Sequence, residues 1–324
     1  MKIVVVDAGY PSYKWEEKAA REAGAELVLG GWTTKKELMD LCRDAEALTL
    51  RQTVVDREVI GKMKRCRIVA RYGIGVDNVD LAAAAEKKIY VTNVKHYCYE
   101  EVAEQAFALL LAAARKVIVH DRALREGLWD ISTKDPIHRI KGRTLGIVGL
   151  GQIPRRLVEK VKGLQLRIVG FDPYVSEAEM NDLGVEKVEL DRLLAESDFV
   201  SLHAAVTKET RHMIGEKQLR SMKPSGVLVN TSRGALIDEA ALFKALSGKW
   251  IDCACLDVYE TEPLPKDSPL RKLSNCILTD HCSWYSEESI EELQRSVAEQ
   301  VAIALKGEEP PSVVNKDLLA GSRP

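Results

Sequence analysis

The chain has 324 residues, 46% apolar and 30% charged, the composition of a soluble globular protein long enough for about two domains. Its 47 basic and 49 acidic residues are interspersed and leave a net charge of -2, so neither a nucleic-acid footprint nor a membrane-binding face is implied, and a small molecule is the expected partner. No apolar run approaches the ~18 residues of a membrane span, and Met1-Lys2 leads straight into an apolar strand. Seven cysteines form an odd set without paired metal spacing, so the expectation is a cytoplasmic protein with reduced thiols and no bound metal.

From the N-terminus, apolar runs at 3–7, 26–29, 47–50, 68–70 and 89–92 read as strands, and the stretches 14–23, 35–42, 56–64 and 81–88 between them read as helices. Such alternation implies a parallel sheet covered by helices on both faces. A strongly apolar helix over 101–119, carrying Val102, Phe107, Leu110, Ala113 and Val117, separates this set from a second one, and a link at 130–142 holds Pro136. Later strands are expected at 199–202, 227–230, 253–256 and 276–278. Cys253 and Cys255, two apart on a strand, share one face and read as core. The last helix begins after Ser286, with Glu287 and Glu288 favouring the dipole of its first turn. It carries the stripe Ile290, Leu293, Val297, Val301 and Leu305, and ends at Gly307 before Pro310 and Pro311. The tail at 312–319 is expected to return to the first domain.

The most informative stretch is 144–174. An apolar run (Leu145, Ile147, Val148) ends in Gly149-Leu150-Gly151, a helix follows, and a second apolar run (Leu166, Ile168, Val169, Phe171) closes on Asp172. Gly149 permits a tight turn and Gly151 lets the backbone approach a pyrophosphate, while Gln152 and Ile153 open a helix whose free amides and positive dipole end favour an anion. Asp172 falls where an acid accepting hydrogen bonds from an adenosine ribose is expected, about 20 residues on. Its charge repels a 2'-phosphate, and no Arg or Lys follows within 173–177, so NAD is expected over NADP. The third glycine of the fingerprint is Pro154 here. In a helix's first turn a proline gives up an N–H that has no intrahelical partner.

Three further stretches, NTSRGALID at 230–238, LDVYETEP at 256–263 and TDHCSWYSEE at 279–288, each begin where an apolar strand ends. With these, with RYGIGVDNVD at 71–80 and with VNKDLL at 314–319, the chain resembles the D-isomer-specific 2-hydroxyacid dehydrogenases over nearly its whole length. Within them it is most similar to the C-terminal-binding-protein branch and the phosphoglycerate dehydrogenase-like enzymes. The resemblance implies an α/β fold of two doubly wound parallel-sheet domains, a Rossmann NAD domain at 101–284 inserted into a flavodoxin-like substrate domain made of 1–100 plus 285–324. It implies Arg233, Glu262 and His281 as the catalytic set. For NAD it points to Gly149, Gly151, Gln152, Ile153, Asp172, His203, Ala204, Ala205, Thr210, Thr231, Ser232 and Asp257. For the 2-keto or 2-hydroxy acid it points to the amides of Ile74 and Gly75, to Arg71, and to Trp284 as an aromatic wall. It also implies a homodimer packed through the helix after Glu101. The chain departs from the family pattern at Ala205, where proline is usual, at Asp280, where proline usually precedes the histidine, at Gln152, where arginine is frequent, and at Lys95, where proline is frequent.

The residue chemistry fits these roles independently. Reducing a 2-keto acid needs a cation for its carboxylate and carbonyl, which Arg233 offers through a rigid fork of donors. It also needs a proton donor that titrates near neutral pH, and a carboxylate at Glu262 would favour and orient the protonated ring of His281. The two competing expectations are an NAD-sensing binding protein without turnover and a D-3-phosphoglycerate dehydrogenase without a regulatory domain. The lack of an extension before the first strand and the presence of all three catalytic residues favour an enzyme. Lys95 and His96 follow the strand at 89–92 and Arg71 follows that at 68–70, so extra positive charge is expected at one carboxyl edge, suited to a substrate with a second anionic group.

Overall fold

The computed structural model describes residues 1–129 and 136–321, so the first part of the expected link at 130–142 lies outside the described residues. The chain divides into two compact units, Met1–Cys98 with the segment from Ser286 onward, and Tyr99–Tyr285.

In the first unit the five strands lie in the order Glu26–Leu29, Lys2–Val5, Ala47–Leu50, Ile68–Arg71, Tyr90–Thr92, every neighbouring pair parallel. This is the doubly wound order 2-1-3-4-5. The central strand Ala47–Leu50 is buried along its whole length, the property that makes it an unbroken apolar run in sequence. Asp56 caps the helix Arg57–Lys62 by accepting the amides of Glu58 and Val59, and Asp80 caps Leu81–Glu86 by accepting that of Ala83. Both helices are shorter than the sequence pattern predicts, because Met63 is extended and Lys88 turns into the left-handed region. Helix Lys14–Ala23 packs against the long helix Glu287–Leu305, which opens on the Ser286 cap.

The tail is tied back onto the last strand of this sheet. Thr92 bridges to Val313 in antiparallel sense, and Asn315, with only 1% of its surface exposed, accepts the amide of Val91 at 3.0 Å and donates to the carbonyl of Ile89 at 3.0 Å. One side chain thus satisfies two buried backbone groups before helix Lys316–Gly321 begins.

The second unit has seven parallel strands in the order Cys276–Leu278, Cys253–Leu256, Val227–Asn230, Phe199–Leu202, Thr144–Val148, Arg167–Phe171, Glu186–Lys187. The order reverses between Thr144–Val148 and Phe199–Leu202, and such a switch point opens a crevice at the carboxyl ends of the strands. Alternate residues of the strands feed cores on the two faces: Leu145, Ile147, Val229 and Cys255 pack with Leu109, Leu110 and Leu157, while Leu202, Leu228 and Leu256 pack with Leu242 and Leu246. Cys253 and Cys255 are therefore core residues. The two-residue strand Glu186–Lys187 is too short for periodicity to reveal.

The helix expected over 101–119 is two helices, Tyr99–Ala114 and Val117–Arg125. Lys116 breaks it in the left-handed region (φ 55), and its ammonium is held by both oxygens of Asp252 at 2.7 and 2.8 Å. A half-buried ion pair formed by a distant loop overrides a local pattern that reads as one continuous helix.

Substituting Asn315→Ala leaves the Val91 amide and the Ile89 carbonyl without a protein partner. We expect a loss of about 1–3 kcal/mol in stability by denaturant titration, with faster amide exchange at 313–321.

Candidate active site

The site is assembled at the carboxyl edge of the seven-stranded sheet, where a glycine turn follows Thr144–Val148. Gly149 has φ +85, and a Cβ there would lie 2.9 Å from the amide nitrogen of Ala204 and the carbonyl carbon of His203. Side-chain absence at Gly149 is thus required by the neighbouring strand end. Gly151 is different: nothing lies within 4 Å of a Cβ placed on it. It caps helix Gln152–Val161, whose first amides, those of Gln152 and Ile153, have no carbonyl one turn back, and Pro154 is buried within this first turn. Asp172 accepts the amides of Leu150 and Tyr174, both at 2.8 Å, so the acid that ends the second strand also holds the glycine turn. Thr231 adds a buried hydroxyl without a partner among the described residues. An open backbone approach, a helix start, an acid one strand over and an unpaired buried hydroxyl fit a dinucleotide.

Other residues expected at the cofactor brace the fold. The Nε2 of His203 shares a 2.8 Å hydrogen bond with Ser201 Oγ, and burial pushes its imidazole down to about 4, so it is neutral near pH 7. Ala204 and Ala205 follow it, and Thr210 donates to the Ala205 carbonyl at 2.7 Å, closing that loop. Ser232 donates its hydroxyl to Asn230. The Asp257 carboxylate is fully covered. It accepts the Thr279 hydroxyl at 2.6 Å and the amides of Cys282 and Ser283 at 3.0 Å each. These donors bracket His281, so Asp257 fixes the loop that carries the histidine.

His281 itself lies in the left-handed region (φ 56), which costs an L-residue about 1–2 kcal/mol and is maintained by the surroundings. Its Nδ1 is 2.6 Å from Oε2 of Glu262, and its carbonyl accepts the indole N–H of Trp284 at 2.8 Å. The other Glu262 oxygen accepts the Tyr259 amide at 3.0 Å, while the Tyr259 hydroxyl donates to the Thr279 carbonyl at 2.7 Å. Burial pushes the Glu262 carboxyl up, but the hydrogen bond and charge of His281, the Tyr259 amide and the charge of Arg233 outweigh it and bring it below the usual range. The stabilisation tied to this shift is present above the ordinary carboxylate pKa and is lost as pH falls through the lowered one.

The charge of Arg233 acts on the same pair, and the loops that carry Arg233 and Glu262 press together. A Cβ on Gly234 would lie 1.9 Å from the Tyr259 carbonyl carbon, so only glycine allows the turn after Arg233 to sit against the turn before Glu262. Asn230, fully buried, accepts the Ser232 amide at 3.1 Å and donates to the Arg233 carbonyl at 2.9 Å. Asn230, Gly234 and Tyr259 escape a reading of the sequence by reactive residue types. Their signal there is position beside Arg233 and Glu262.

In the first unit, Arg71 ends the strand Ile68–Arg71, and Ile74 and Gly75 stand on the turn after it. The amides of Ile74 and Gly75 have no acceptor among the described residues, and the Ile74 carbonyl is held by Asn93 at 2.6 Å. The Arg71 guanidinium lies over Gly73, where a Cβ would be 1.7 Å from Nη1, and its Nε donates to the Arg51 carbonyl at 3.2 Å. The Arg51 loop is fixed by Asp7, which accepts the amides of Arg51, Gln52 and Thr53 at 2.6, 3.0 and 3.1 Å. The Arg51 guanidinium stacks 4.9 Å from the centre of the Tyr10 ring. Lys95 and His96 are exposed.

Nucleotide recognition and proton-transfer chemistry at one sheet edge make the working combination of a dinucleotide-linked oxidoreductase. Comparison with known proteins narrows the class. The family model described as D-isomer specific 2-hydroxyacid dehydrogenase, NAD binding domain, matches residues 107–283. A glyoxylate reductase of Korarchaeum cryptofilum is 44% identical over 290 residues, covering 88% of this chain and 87% of that one. A D-3-phosphoglycerate dehydrogenase of Methanocaldococcus jannaschii is 40% identical over 317 residues, which are 97% of this chain and 59% of the relative. The crystal structure of a glyoxylate reductase from Paecilomyes thermophila matches with a TM-score of 0.86 at 29% identity, covering 98% of this chain and 99% of the other. The chain belongs to the D-isomer-specific 2-hydroxyacid dehydrogenase family, and its cofactor is NAD.

Replacing Asp257 by Asn substitutes an amide N–H₂ for one of the accepting oxygens, setting donor against donor beneath the histidine loop. We expect Asp257→Asn to lose about 1–3 kcal/mol by thermal or denaturant unfolding, with turnover falling further than the NADH affinity measured by fluorescence.

Proposed function

We propose that the protein interconverts a 2-keto acid and its D-2-hydroxy acid, with His281 exchanging a proton with the substrate oxygen and Glu262 orienting the ring. Arg233 binds the substrate's carboxylate and carbonyl, and Arg71 with the amides of Ile74 and Gly75 is an anion-binding turn for the same substrate class. The cofactor supplies or accepts the hydride. The observation that carries the reading is the 2.6 Å contact from His281 Nδ1 to Glu262, which leaves Nε2 as the ring atom available for a proton donor's task. Trp284, anchored on the His281 carbonyl, is suited to wall the acid. Two further readings accompany this one. The exposed apolar residues Val117, Ile118, Val119, Leu124 and Trp129, the last 90% exposed, support a homodimer through the helical segment after Glu101. Seven free cysteines support a reducing, cytoplasmic setting.

His281→Asn is expected to lower turnover by about 10² to 10⁴ while NADH still binds. Glu262→Gln removes the negative charge that favours imidazolium, so the ring gives up its proton at lower pH, and the alkaline limb of reductive kcat/KM shifts downward. A profile that stays in place in Glu262→Gln would refute the pairing.

For a second anionic group on the substrate, which Lys95, His96 and Arg71 suggest in the sequence, we propose, in place of the exposed Lys95, Arg51. Its backbone is held on three amides by Asp7, and its guanidinium has neither acceptor nor acid partner among the described residues. We expect Arg51→Ala to lower kcat/KM by about tenfold or more for a 2-keto dicarboxylate or phosphorylated acid, with little effect on a neutral-tailed 2-keto acid and little effect of Lys95→Ala on either. Equal losses for charged and neutral substrates would remove the second-anion reading. NADH binding without turnover of any acid in the panel would leave the NAD-sensing alternative.

A further inference from the structure

The first unit buries a carboxyl group that the proposed reaction does not use. Glu16, on helix Lys14–Ala23, is 2% exposed and has no cation partner among the described residues. Burial pushes its carboxyl up, and the hydrogen bonds made to it act against this. Its Oε1 accepts the Tyr72 hydroxyl at 2.7 Å, while the side-chain amide of Gln294 donates to Oε1 and Oε2 at 3.2 and 3.3 Å and to the Ser12 carbonyl at 2.8 Å. Gln294 stands on helix Glu287–Leu305, so one buried acid ties two packed helices to Tyr72, the residue that follows strand Ile68–Arg71. From Tyr72 the contacts lead to Arg51. The rings of Tyr72 and Tyr10 meet edge to face, 5.3 Å between centroids and 73° between planes, and the Arg51 guanidinium lies 4.9 Å from the centre of the Tyr10 ring. The Tyr10 hydroxyl is buried without a partner among the described residues, so no hydrogen bond of its own fixes that ring. Its backbone and its neighbours set its place: the Tyr13 hydroxyl accepts the amides of Gly9 and Tyr10 at 2.6 and 3.0 Å, and Tyr72 packs against the ring. Gly9 leaves room for the guanidinium, since a Cβ there would lie 2.9 Å from Nη2 of Arg51.

We infer that Glu16 is a positioning residue for Arg51: by holding the Tyr72 hydroxyl it fixes the ring against which Tyr10 packs, and Tyr10 is the platform of the guanidinium. This rests on the second-anion role proposed for Arg51 above. A guanidinium with no acceptor in the protein keeps its donors for an incoming anion, but a long side chain gives up rotamer freedom when it binds, and a platform that holds it beforehand reduces that cost. What Tyr72 needs from residue 16 is an accepting oxygen, which a carboxamide also supplies. The role therefore follows the oxygen, not the charge.

The test measures kcat/KM for 2-ketoglutarate and for the neutral-tailed 2-ketobutyrate in wild type, Tyr72→Phe, Glu16→Leu, Glu16→Gln and Arg51→Ala. It also follows the NMR resonance of the Arg51 Nε–H, assigned by its loss in Arg51→Ala, whose position reports the ring current of Tyr10. We expect the ratio of the dicarboxylate to the neutral-tailed acid to fall by about threefold to tenfold in Tyr72→Phe and Glu16→Leu, the range that one hydrogen bond controls, and to stay near wild type in Glu16→Gln. In the same two variants the Arg51 resonance moves toward that of an unstacked arginine, and Tyr72→Phe adds nothing to the ratio once Arg51 is replaced by alanine. An Arg51 resonance unmoved in both Tyr72→Phe and Glu16→Leu overturns the inference, as does a ratio that falls as far in Glu16→Gln as in Glu16→Leu. Equal losses for the two acids also overturn it and mark Glu16 as a brace between the helices. A resonance that moves while the ratio holds in every variant, Arg51→Ala included, keeps the positioning and removes the second-anion reading. Tyr72→Phe leaves Glu16 its Gln294 partner and is the variant read by the same criteria if Glu16→Leu does not fold.

Discussion

A carboxylate taken out of water has to find donors that replace its hydration, and Asp257, with no exposed surface, finds them in the Thr279 hydroxyl and the amides of Cys282 and Ser283. These donors lie on both sides of His281 in the chain. The histidine's left-handed backbone is therefore the conformation compatible with satisfying the buried acid, and the strain at one residue is offset by several charge-assisted hydrogen bonds at its neighbours. The Trp284 indole on the His281 carbonyl closes the loop from the other end. The ring is left to meet Glu262, and little freedom remains for it to point elsewhere.

The same economy governs the loops that bring Arg233 and Glu262 within range. Parallel strands deliver Asn230, Leu256 and Leu278 to one edge, but an edge alone leaves a gap between loop tips. Gly234 removes that gap by letting backbone lie directly on the Tyr259–Glu260 backbone, and Tyr259 then turns its amide to Glu262 and its hydroxyl to Thr279. Tyr259 thus links the carboxylate to the loop of the histidine it serves. A methyl on Gly234 would have to displace main chain, which has no alternative rotamer to adopt.

Much of this was legible in the sequence because it depends on period and punctuation. Strands such as 199–202, 227–230 and 253–256 are buried on both faces and appear as unbroken apolar runs, and Arg233, Glu262 and His281 follow strand ends. What could not be read depends on contacts between residues far apart in the chain. The break at Lys116 is set by Asp252, and the tail, whose return the sequence leads one to expect, is fastened through one buried Asn315 that the sequence does not single out. Asp257 shows the same limit within the site, since its position after a strand does not reveal that it gathers donors from both sides of His281.

The glycines of the cofactor turn show how structure can separate demands of the fold from demands of a ligand. Gly149 combines φ +85 with main chain 2.9 Å from its missing Cβ, so the protein itself excludes a side chain there, whatever binds. Gly151 has φ -70, accessible to any L-residue, and open space where a Cβ would point. No contact inside the protein excludes a side chain at that position, although glycine is also a favoured helix cap. A bare backbone there suits a ligand that comes close to the helix start, and a pyrophosphate approaching the amides of Gln152 and Ile153 is a ligand of that kind.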